Sequence, residues 1–390
     1  MMYSVVIIAV LSSLATSNAQ QSAQATTVDP NYILPGFTAA PNDTIRIIAL
    51  GTGTPNTLPK QVATSYLIQL GSQRNILFDV GTGSITNLYA TGINMSTIDL
   101  VFLSHLHSDH VTDLGPLYAL ANGRTRPLTI YGPSGSAPQY GTAALVSGLK
   151  QFLAWDQQAR NLVSEFPAGY QGNQVVAHEF NYTGVDQLIY DQDGIQVYSN
   201  PAFHYDTPGP VSIRLEWNNL TVTYSGDTIP LDTFVDFAKG SDVVIHESVG
   251  PIYNLSLESK ATRNILTNHT SQAEVGAVFQ AVQPRLAIAT HLRITPYTIT
   301  PILESIRSQY PSGPLALALD NSVWDITSKS IVQRQFVPLL EKAGYEFTGH
   351  PRTYDLYTSA VSTFQPRPNV VTGDLTVFEV PNAPPVSAAG

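Results

Sequence analysis

The chain has 390 residues, of which 43% are hydrophobic and 12% are charged, a composition typical of a globular protein with a large core and not of a disordered one. Its 19 basic and 29 acidic residues give a net charge of −10, which argues against a nucleic-acid partner because neutralising phosphates requires basic patches. There is no cysteine, so disulfide bonds and thiolate metal sites are both excluded.

The N-terminus predicts export. The apolar run Val5–Leu11 is too short to span a bilayer, and Ser17–Ala19 offers small residues for cleavage, although no Lys or Arg precedes the run. We therefore expect residues 1–19 to be a signal peptide, 20–43 to be a loose arm, and the mature protein to be secreted without a transmembrane segment. Six N-x-S/T sequons fit a glycoprotein, at Asn42, Asn94, Asn181, Asn219, Asn254 and Asn268.

The first predicted strands follow the arm. Apolar, β-branched runs at Thr44–Leu50, Ser65–Leu70 and Asn75–Phe78 are separated by glycine-containing turns. Gly51-Thr52-Gly53 favours a structural turn over a nucleotide-binding loop, since a third glycine and a following amphipathic helix are missing.

A dense group of potential metal ligands follows the apolar run Leu100–Leu103. In an extended segment residues two apart point the same way, so His105 and His107 can face one point in space. Asp109 and His110 come where the chain must turn, and can face a second point. Imidazole and carboxylate ligands without thiolate are typical of an open catalytic site, so this loop predicts two metals.

Strands and helices alternate through the rest of the chain. Helices are predicted at 111–121, 141–153, around 234–237 and at 271–282; strands are predicted at 128–131, 195–198, 211–215, 220–224, 243–245, 286–290 and 315–320. Asn218-Asn219 is a candidate hairpin turn. We interpret 154–194 as an insertion over the site, 332–343 as a helix and the Pro-rich end from residue 381 as disordered.

His105-Leu106-His107-Ser108-Asp109-His110 resembles the HxHxDH signature of the metallo-β-lactamase superfamily. The motifs at 50–55, 76–81, 224–228, 245–248 and 268–271 are similar to those of its ribonuclease Z and arylsulfatase-like branch. The resemblance runs from about residue 45 to 291. It implies an α/β fold, the αββα sandwich, with a catalytic domain at 44–313 and a C-terminal extension at 314–390 whose docking stays open.

The resemblance also implies two divalent metal ions, taken as zinc, and a full set of ligands. The first ion is assigned to His105, His107 and His204, the second to Asp109, His110 and His291, and Asp227 bridges them. Asp109 would also hold the proton of a metal-bridging hydroxide, and His269 is the candidate proton donor to the leaving group.

Three further residues are less specific in their roles. Asp79 either supports the metal-binding loop or caps a strand end. His246 also ends a buried strand, but His291 is preferred as the ligand because it follows the predicted helix 271–282. His246 is then either a support for the site, with Glu247 orienting a neighbour, or a structural histidine.

These assignments predict a secreted dinuclear zinc hydrolase that cleaves a small or medium ester-type bond: a carboxylic ester, lactone, sulfate ester or phosphodiester. The expected partner is a small-molecule ester; nucleic acid is not expected, and the oligomeric state stays open. One alternative is a ribonuclease Z-type nuclease, disfavoured by the acidic charge and predicted export. The other is a non-catalytic metal-binding protein, disfavoured by the complete, open ligand set.

Overall fold

The computed structural model describes residues 32–58, 60–120, 123–163, 170–205, 207–249, 260, 265 and 267–336. The signal peptide predicted at 1–19, the first half of the arm at 20–43 and the Pro-rich end lie outside these ranges, so export stays a prediction. Among the helices described, none is both long enough and apolar enough to cross a bilayer.

Two β-sheets form the inner layers of the fold. In the described ranges the first sheet has the strand order β1-β16-β15-β2-β3-β4-β5-β6-β7 and the second the order β14-β13-β12-β11-β10-β9-β8. The strands of the first sheet are β1 (Tyr32–Ile33), β2 (Ile45–Gly51), β3 (Ser65–Leu70), β4 (Arg74–Phe78), β5 (Ile98–Phe102), β6 (Leu128–Pro133), β7 (Val175–Phe180), β15 (Ser322–Ile326) and β16 (Ile331–Phe336). Those of the second are β8 (Gln187–Gln192), β9 (Ile195–Pro201), β10 (Val211–Trp217), β11 (Leu220–Tyr224), β12 (Val243–Glu247), β13 (Leu286–Thr290) and β14 (Leu315–Leu317).

Helices cover the outer face of each sheet. They are α1 (Ser84–Ala90), α2 (Ser108–Val111), α3 (Leu114–Leu120), α4 (Thr142–Phe152), α5 (Ala154–Val163), α6 (Asp232–Ala238), α7 (Gln272–Val282) and α8 (Ile299–Arg307). One apolar cluster lies between the sheets, a second joins the first sheet to α1, α3 and α4, and a third joins the second sheet to α6, α7 and α8. The order helix, sheet, sheet, helix confirms the predicted αββα sandwich.

Parallel strands explain where the polar motifs meet. Strands β4 to β7 are parallel in the first sheet, and β11 to β14 are parallel in the second. The central strands β2, β5, β12 and β13 are buried along their whole length, as expected for strands covered on both faces. Their carboxyl ends open at one edge, the usual place for a site in an open α/β sheet.

The interpretation of residues 154–194 as an insertion over the site is wrong. This region forms α5, β7 and β8, and the two strands are the edges of the two sheets. Edge strands bury fewer side chains than central strands, and β7 and β8 have mostly exposed or half-buried residues. Their weak apolar pattern resembles that of a loop.

The chain beyond residue 313 continues both sheets. Strand β14 pairs with β13, β15 pairs with β2, and β16 pairs with β15, so the boundary placed at 313 falls inside the sandwich. The predicted helix at 332–343 is wrong over its described part, where β16 occupies Ile331–Phe336. The hairpin turn at Asn218-Asn219 is confirmed, since both residues have positive φ and Trp217 pairs with Leu220.

Candidate metal centre

All seven predicted metal ligands lie in segments that follow strands at one edge of the two sheets. Four of them follow β5 in the segment 105–110, and α2 begins inside it. The other three come from the second sheet: His204 after β9, Asp227 after β11 and His291 after β13. The structure brings these seven side chains together in two groups that share Asp227.

Cluster one consists of His105, His107, His204 and Asp227. The Nε2 atoms of His105 and His204 each lie 3.1 Å from His107 Nδ1. Both Nε2 atoms also lie 3.8 Å from Asp227 Oδ2. Two nitrogens bound to one tetrahedral zinc ion at about 2.0–2.1 Å are separated by about 3.3 Å, so the spacing of the imidazoles fits one such ion.

Cluster two consists of Asp109, His110, Asp227 and His291. His291 Nε2 lies 3.2 Å from Asp109 Oδ2 and 3.4 Å from Asp227 Oδ2. His110 Nε2 lies 3.5 Å from Asp109 Oδ2 and 3.4 Å from Asp227 Oδ1. Asp227 thus presents carboxylate oxygens to both clusters, the position predicted for the bridge.

The chemistry of these groups fits bound cations. Asp109 Oδ1, His110 Nε2 and Asp227 Oδ1 are buried polar atoms with no hydrogen-bond partner in the protein, an arrangement that is costly unless a ligand satisfies it. Burial alone would raise the pKa of Asp227, but His291 and His110 outweigh it and hold the pKa well below its usual range. Asp227 therefore stays ionised, the form that a metal requires.

Asp79 orients the loop that supplies four of the ligands. Its Oδ2 accepts hydrogen bonds from His110 Nδ1 at 2.7 Å, Ser104 Oγ at 2.7 Å and Tyr224 Oη at 2.8 Å. Ser104 Oγ in turn lies 3.1 Å from His105 Nδ1. These contacts fix which ring nitrogen of each histidine faces the clusters. Of the two predicted roles for Asp79, the structure shows the supporting one.

Ser104 and Tyr224 are partners of Asp79 that the sequence did not indicate. Both flank recognised motifs, since Ser104 precedes the histidine run and Tyr224 precedes Ser225-Gly226-Asp227. A buried tyrosine at a strand end needs a hydrogen-bond partner, and this was the signal available in the sequence. The partner itself lies 145 positions away and becomes visible only in the folded chain.

His269 and Glu247 form a buried pair beside cluster two. His269 Nδ1 donates to Glu247 Oε1 at 2.9 Å, and the ring stacks on His291 with centroids 5.5 Å apart. Glu247 Oε1 also accepts from the backbone of Thr228 at 3.0 Å. Burial lowers the pKa of His269, but the Glu247 carboxylate outweighs it and raises this pKa to about 9. Cations at the two clusters would oppose this rise.

His246 points away from the metal ligands. Successive side chains of a strand alternate between its faces, so His246 packs against Phe234 and Phe279 while Glu247 reaches His269. Burial lowers the pKa of His246 to about 4, despite a hydrogen bond from Nδ1 to the Glu247 carbonyl at 2.7 Å. Of the two roles considered, the structural one is found.

One side of the centre is open. His107 is the exposed member of cluster one, and a cavity of about 350 Å³ adjoins it. The lining side chains among the described residues are mainly apolar or hydroxyl-bearing and include neither Lys nor Arg: His105, Leu106, His107, Pro133, Ser134, Ser136, Tyr140, His204, Thr207, Pro208, Gly209 and Pro210. A cavity of this volume admits a small ligand or one group of a larger one.

The model of the metallo-beta-lactamase superfamily matches residues 59–262, which is more than half of the chain. Among curated proteins, ribonuclease Z of Mycobacterium bovis (strain BCG / Pasteur 1173P2) is 25% identical over 261 residues, covering 63% of this chain and 85% of its own length. Ribonuclease Z of Mycolicibacterium paratuberculosis is 26% identical over 252 residues, with coverages of 63% and 85%.

Solved structures with the same fold include the metallo-beta-lactamase fold protein YhfI from Bacillus subtilis, with a TM-score of 0.54 and 20% identity over 73% of this chain and all of that one. The short form of human tRNase Z has a TM-score of 0.51 and 20% identity over 71% of this chain and 98% of its own. At these identities the likeness concerns the fold.

Proposed function

Because the chain belongs to the metallo-β-lactamase superfamily and is a metal-dependent hydrolase of ester-type bonds, we propose that it hydrolyses phosphodiester bonds in RNA, as an enzyme of the ribonuclease Z type. The curated relatives named ribonuclease Z support this proposal, since the chain matches 85% of their length. They count against the expectation, drawn from net charge, that nucleic acid is not a substrate.

The geometric observation that carries the proposal is the buried pair His269–Glu247 beside cluster two. Cleavage of an RNA phosphodiester expels a ribose oxygen, which leaves poorly unless it is protonated, whereas an aryl oxygen leaves readily without help. A positioned general acid contributes about 10²–10⁴-fold to such a step. Glu247 holds Nδ1 of His269, which leaves Nε2 to carry the proton.

The other residues position the reactants. Two divalent ions, zinc by the nature of the ligands, would supply an activated water and polarise the phosphoryl oxygen when bound. Asp227 fixes the separation of the two clusters, and Asp109 Oδ1, buried without a protein partner, can accept a hydrogen bond from the attacking water. Asp79 keeps the imidazoles of His105 and His110 in place.

A second candidate function is the hydrolysis of small, uncharged or singly charged esters, the substrate class favoured by the sequence. The cavity beside cluster one favours it, because no lysine or arginine that would neutralise a polyanion is found among the lining residues that the structure describes.

A substrate panel tests the proposal. Purified protein is assayed with a precursor tRNA, a bis-aryl phosphate, an aryl sulfate and an aryl carboxylic ester, each with and without chelator. We expect chelator-sensitive cleavage of the RNA with the highest kcat/KM. Rapid hydrolysis of the carboxylic ester or sulfate without RNA cleavage would establish the second candidate. Two bound ions with no hydrolysis of any of these four substrates would contradict both candidate substrate classes.

A further inference from the structure

His291, the last predicted metal ligand in the chain, has an unfavourable backbone conformation. His291 has a φ of 58°, a left-handed conformation that is sterically unfavourable for a residue with a Cβ atom. It follows β13 directly, and its side chain reaches Asp109 and Asp227 from this position. Such a conformation persists only where surrounding contacts determine it, so the backbone next to His291 needs partners that hold it.

Gln61 supplies two of these contacts from the loop between β2 and β3 of the first sheet. Its Nε2 donates to the Leu292 carbonyl at 2.6 Å, and its Oε1 accepts from the Ile294 amide at 2.9 Å. The amide side chain thus bonds both sides of the loop that follows His291, in the way a neighbouring strand would. Gln61 and Leu292 are 6% and 0% exposed, so water does not readily replace these bonds.

Gln61 is itself held firmly. Its backbone closes a turn through two hydrogen bonds with Leu58, at 2.9 and 3.0 Å. The next residue, Val62, donates its amide to Asp320 Oδ2 at 2.8 Å, and Asp320 Oδ1 accepts from Thr52 Oγ1 at 2.8 Å. The glutamine side chain therefore transmits the position of a fixed turn to the loop that carries His291.

We propose that Gln61 is a positioning residue for cluster two: its side-chain amide holds the segment 292–294 so that His291 keeps the strained backbone from which it binds metal. Cluster one has no ligand in this segment. The proposed role of Gln61 is in metal binding and does not depend on the substrate, so its test is independent of the test of RNA cleavage.

The test is a chelator titration of the metal-loaded protein, with released zinc measured by a chromophoric indicator. Gln61→Met keeps the side-chain length but removes both hydrogen bonds. Loss of an outer contact to a metal ligand typically lowers metal affinity by about 10–100-fold. We therefore expect one of the two ions to be released at a chelator concentration at least about tenfold lower than in the wild type. The other ion should be retained as in the wild type.

Gln69→Met is the matched control. Gln69 is a glutamine of similar burial, with 9% exposure, and its Nε2 donates to Asn75 Oδ1 at 2.9 Å away from both clusters. It should lose thermal stability without a change in metal release. If Gln61→Met releases both ions as the wild type does while its Tm falls like that of the control, Gln61 is only structural and the proposal fails.

Gln61→Glu provides a second variant should Gln61→Met not fold. It keeps the acceptor for the Ile294 amide but replaces the donor to Leu292 with an oxygen, so the ion of cluster two should again be released more easily than in the wild type. Unchanged release of both ions from this variant would equally overturn the proposal.

Discussion

Asp227 is the residue on which both clusters depend, because its oxygens lie within 3.8 Å of nitrogens in each. Asp227→Ala should therefore lower the content of both ions, whereas His204→Ala should lower mainly that of cluster one. Removing the carboxylate also leaves two cations close together without a bridging anion, which raises their repulsion. Elemental analysis of both variants checks this. Two ions retained by Asp227→Ala would show that it is not the bridge.

His269 gives a prediction that depends on the leaving group. If this imidazole protonates the departing oxygen, His269→Gln should lower kcat by about 100-fold or more for RNA and alkyl phosphodiesters but by far less for aryl phosphodiesters. His178→Gln is the control, since His178 stacks on Tyr131 and belongs to neither cluster. Equal losses for both kinds of leaving group would remove the acid role.

His246 makes the stability dependent on pH. Burial lowers its pKa from 6.5 to about 4, so between these values the unfolded chain takes up a proton that the folded chain does not. The stability that the neutral imidazole of His246 permits is fully present above pH 6.5 and is lost as the pH falls towards 4. At pH 4 the free energy of unfolding should be lower by about 3 kcal/mol for this reason. In His246→Leu this part should vanish, which denaturation curves at pH 7 and pH 4.5 can show by difference. Equal pH dependence in both proteins would contradict it.

At the residue scale, short-range sequence patterns indicated the ligands but not the groups that orient them. His105, His107, Asp109 and His110 are adjacent in the chain, so spacing alone predicts a site there. Gln61 contacts a loop 231 positions away, and no local pattern distinguishes it from a surface glutamine. For Glu247 the sequence predicted only that it orients a neighbouring residue, and not that this residue is His269.

At the scale of elements, the central strands were predictable because most of their residues are apolar, and α7 was predictable from its N-terminus. Ser271 caps α7, and Glu274 completes the capping box. The edge strands β7 and β8, and β16 beside the two-residue strand β1, were harder to predict. All three have exposed polar residues in partial alternation. Their identity is decided by the strand each pairs with, which is tertiary information.

A buried ion pair connects β15 to the first half of the chain. Arg46 on β2 donates to Asp325 Oδ1 at 2.6 Å and Oδ2 at 3.2 Å, and Arg334 on β16 also contacts Asp325. Asp325→Ala leaves Arg46, 2% exposed, without its carboxylate and should destabilise the fold by about 3–5 kcal/mol. Urea denaturation measures this.

Asp236→Ala is the control for this prediction, because it removes an exposed pair with Lys239 and should change stability much less. If Asp325→Ala were as stable as this control, the buried pair Arg46–Asp325 would contribute no more to stability than an exposed pair does.

At the scale of the whole molecule, the net negative charge should limit how strongly the protein can bind RNA. The net charge of −10 repels a polyanion over the length of a Debye layer, about 8 Å at physiological salt. We expect attraction only from groups close to the scissile bond, and the described part of the cavity beside cluster one adds no lysine or arginine. We therefore expect the protein to contact fewer RNA phosphates than a basic nucleic-acid-binding protein does.

We therefore expect RNA cleavage to depend only weakly on salt concentration. Each phosphate neutralised in single-stranded RNA contributes about −0.7 to the slope of log affinity against log salt. With one to three phosphates engaged, the slope of log kcat/KM should lie between about −0.7 and −2, and a bis-aryl phosphate should give a slope near zero. Steady-state kinetics from low to physiological salt measure both substrates on one preparation. A slope steeper than about −5 for RNA would mean that an extended basic surface binds the substrate despite the negative net charge. That result would contradict the expected binding through few phosphates, but not the proposed nuclease activity.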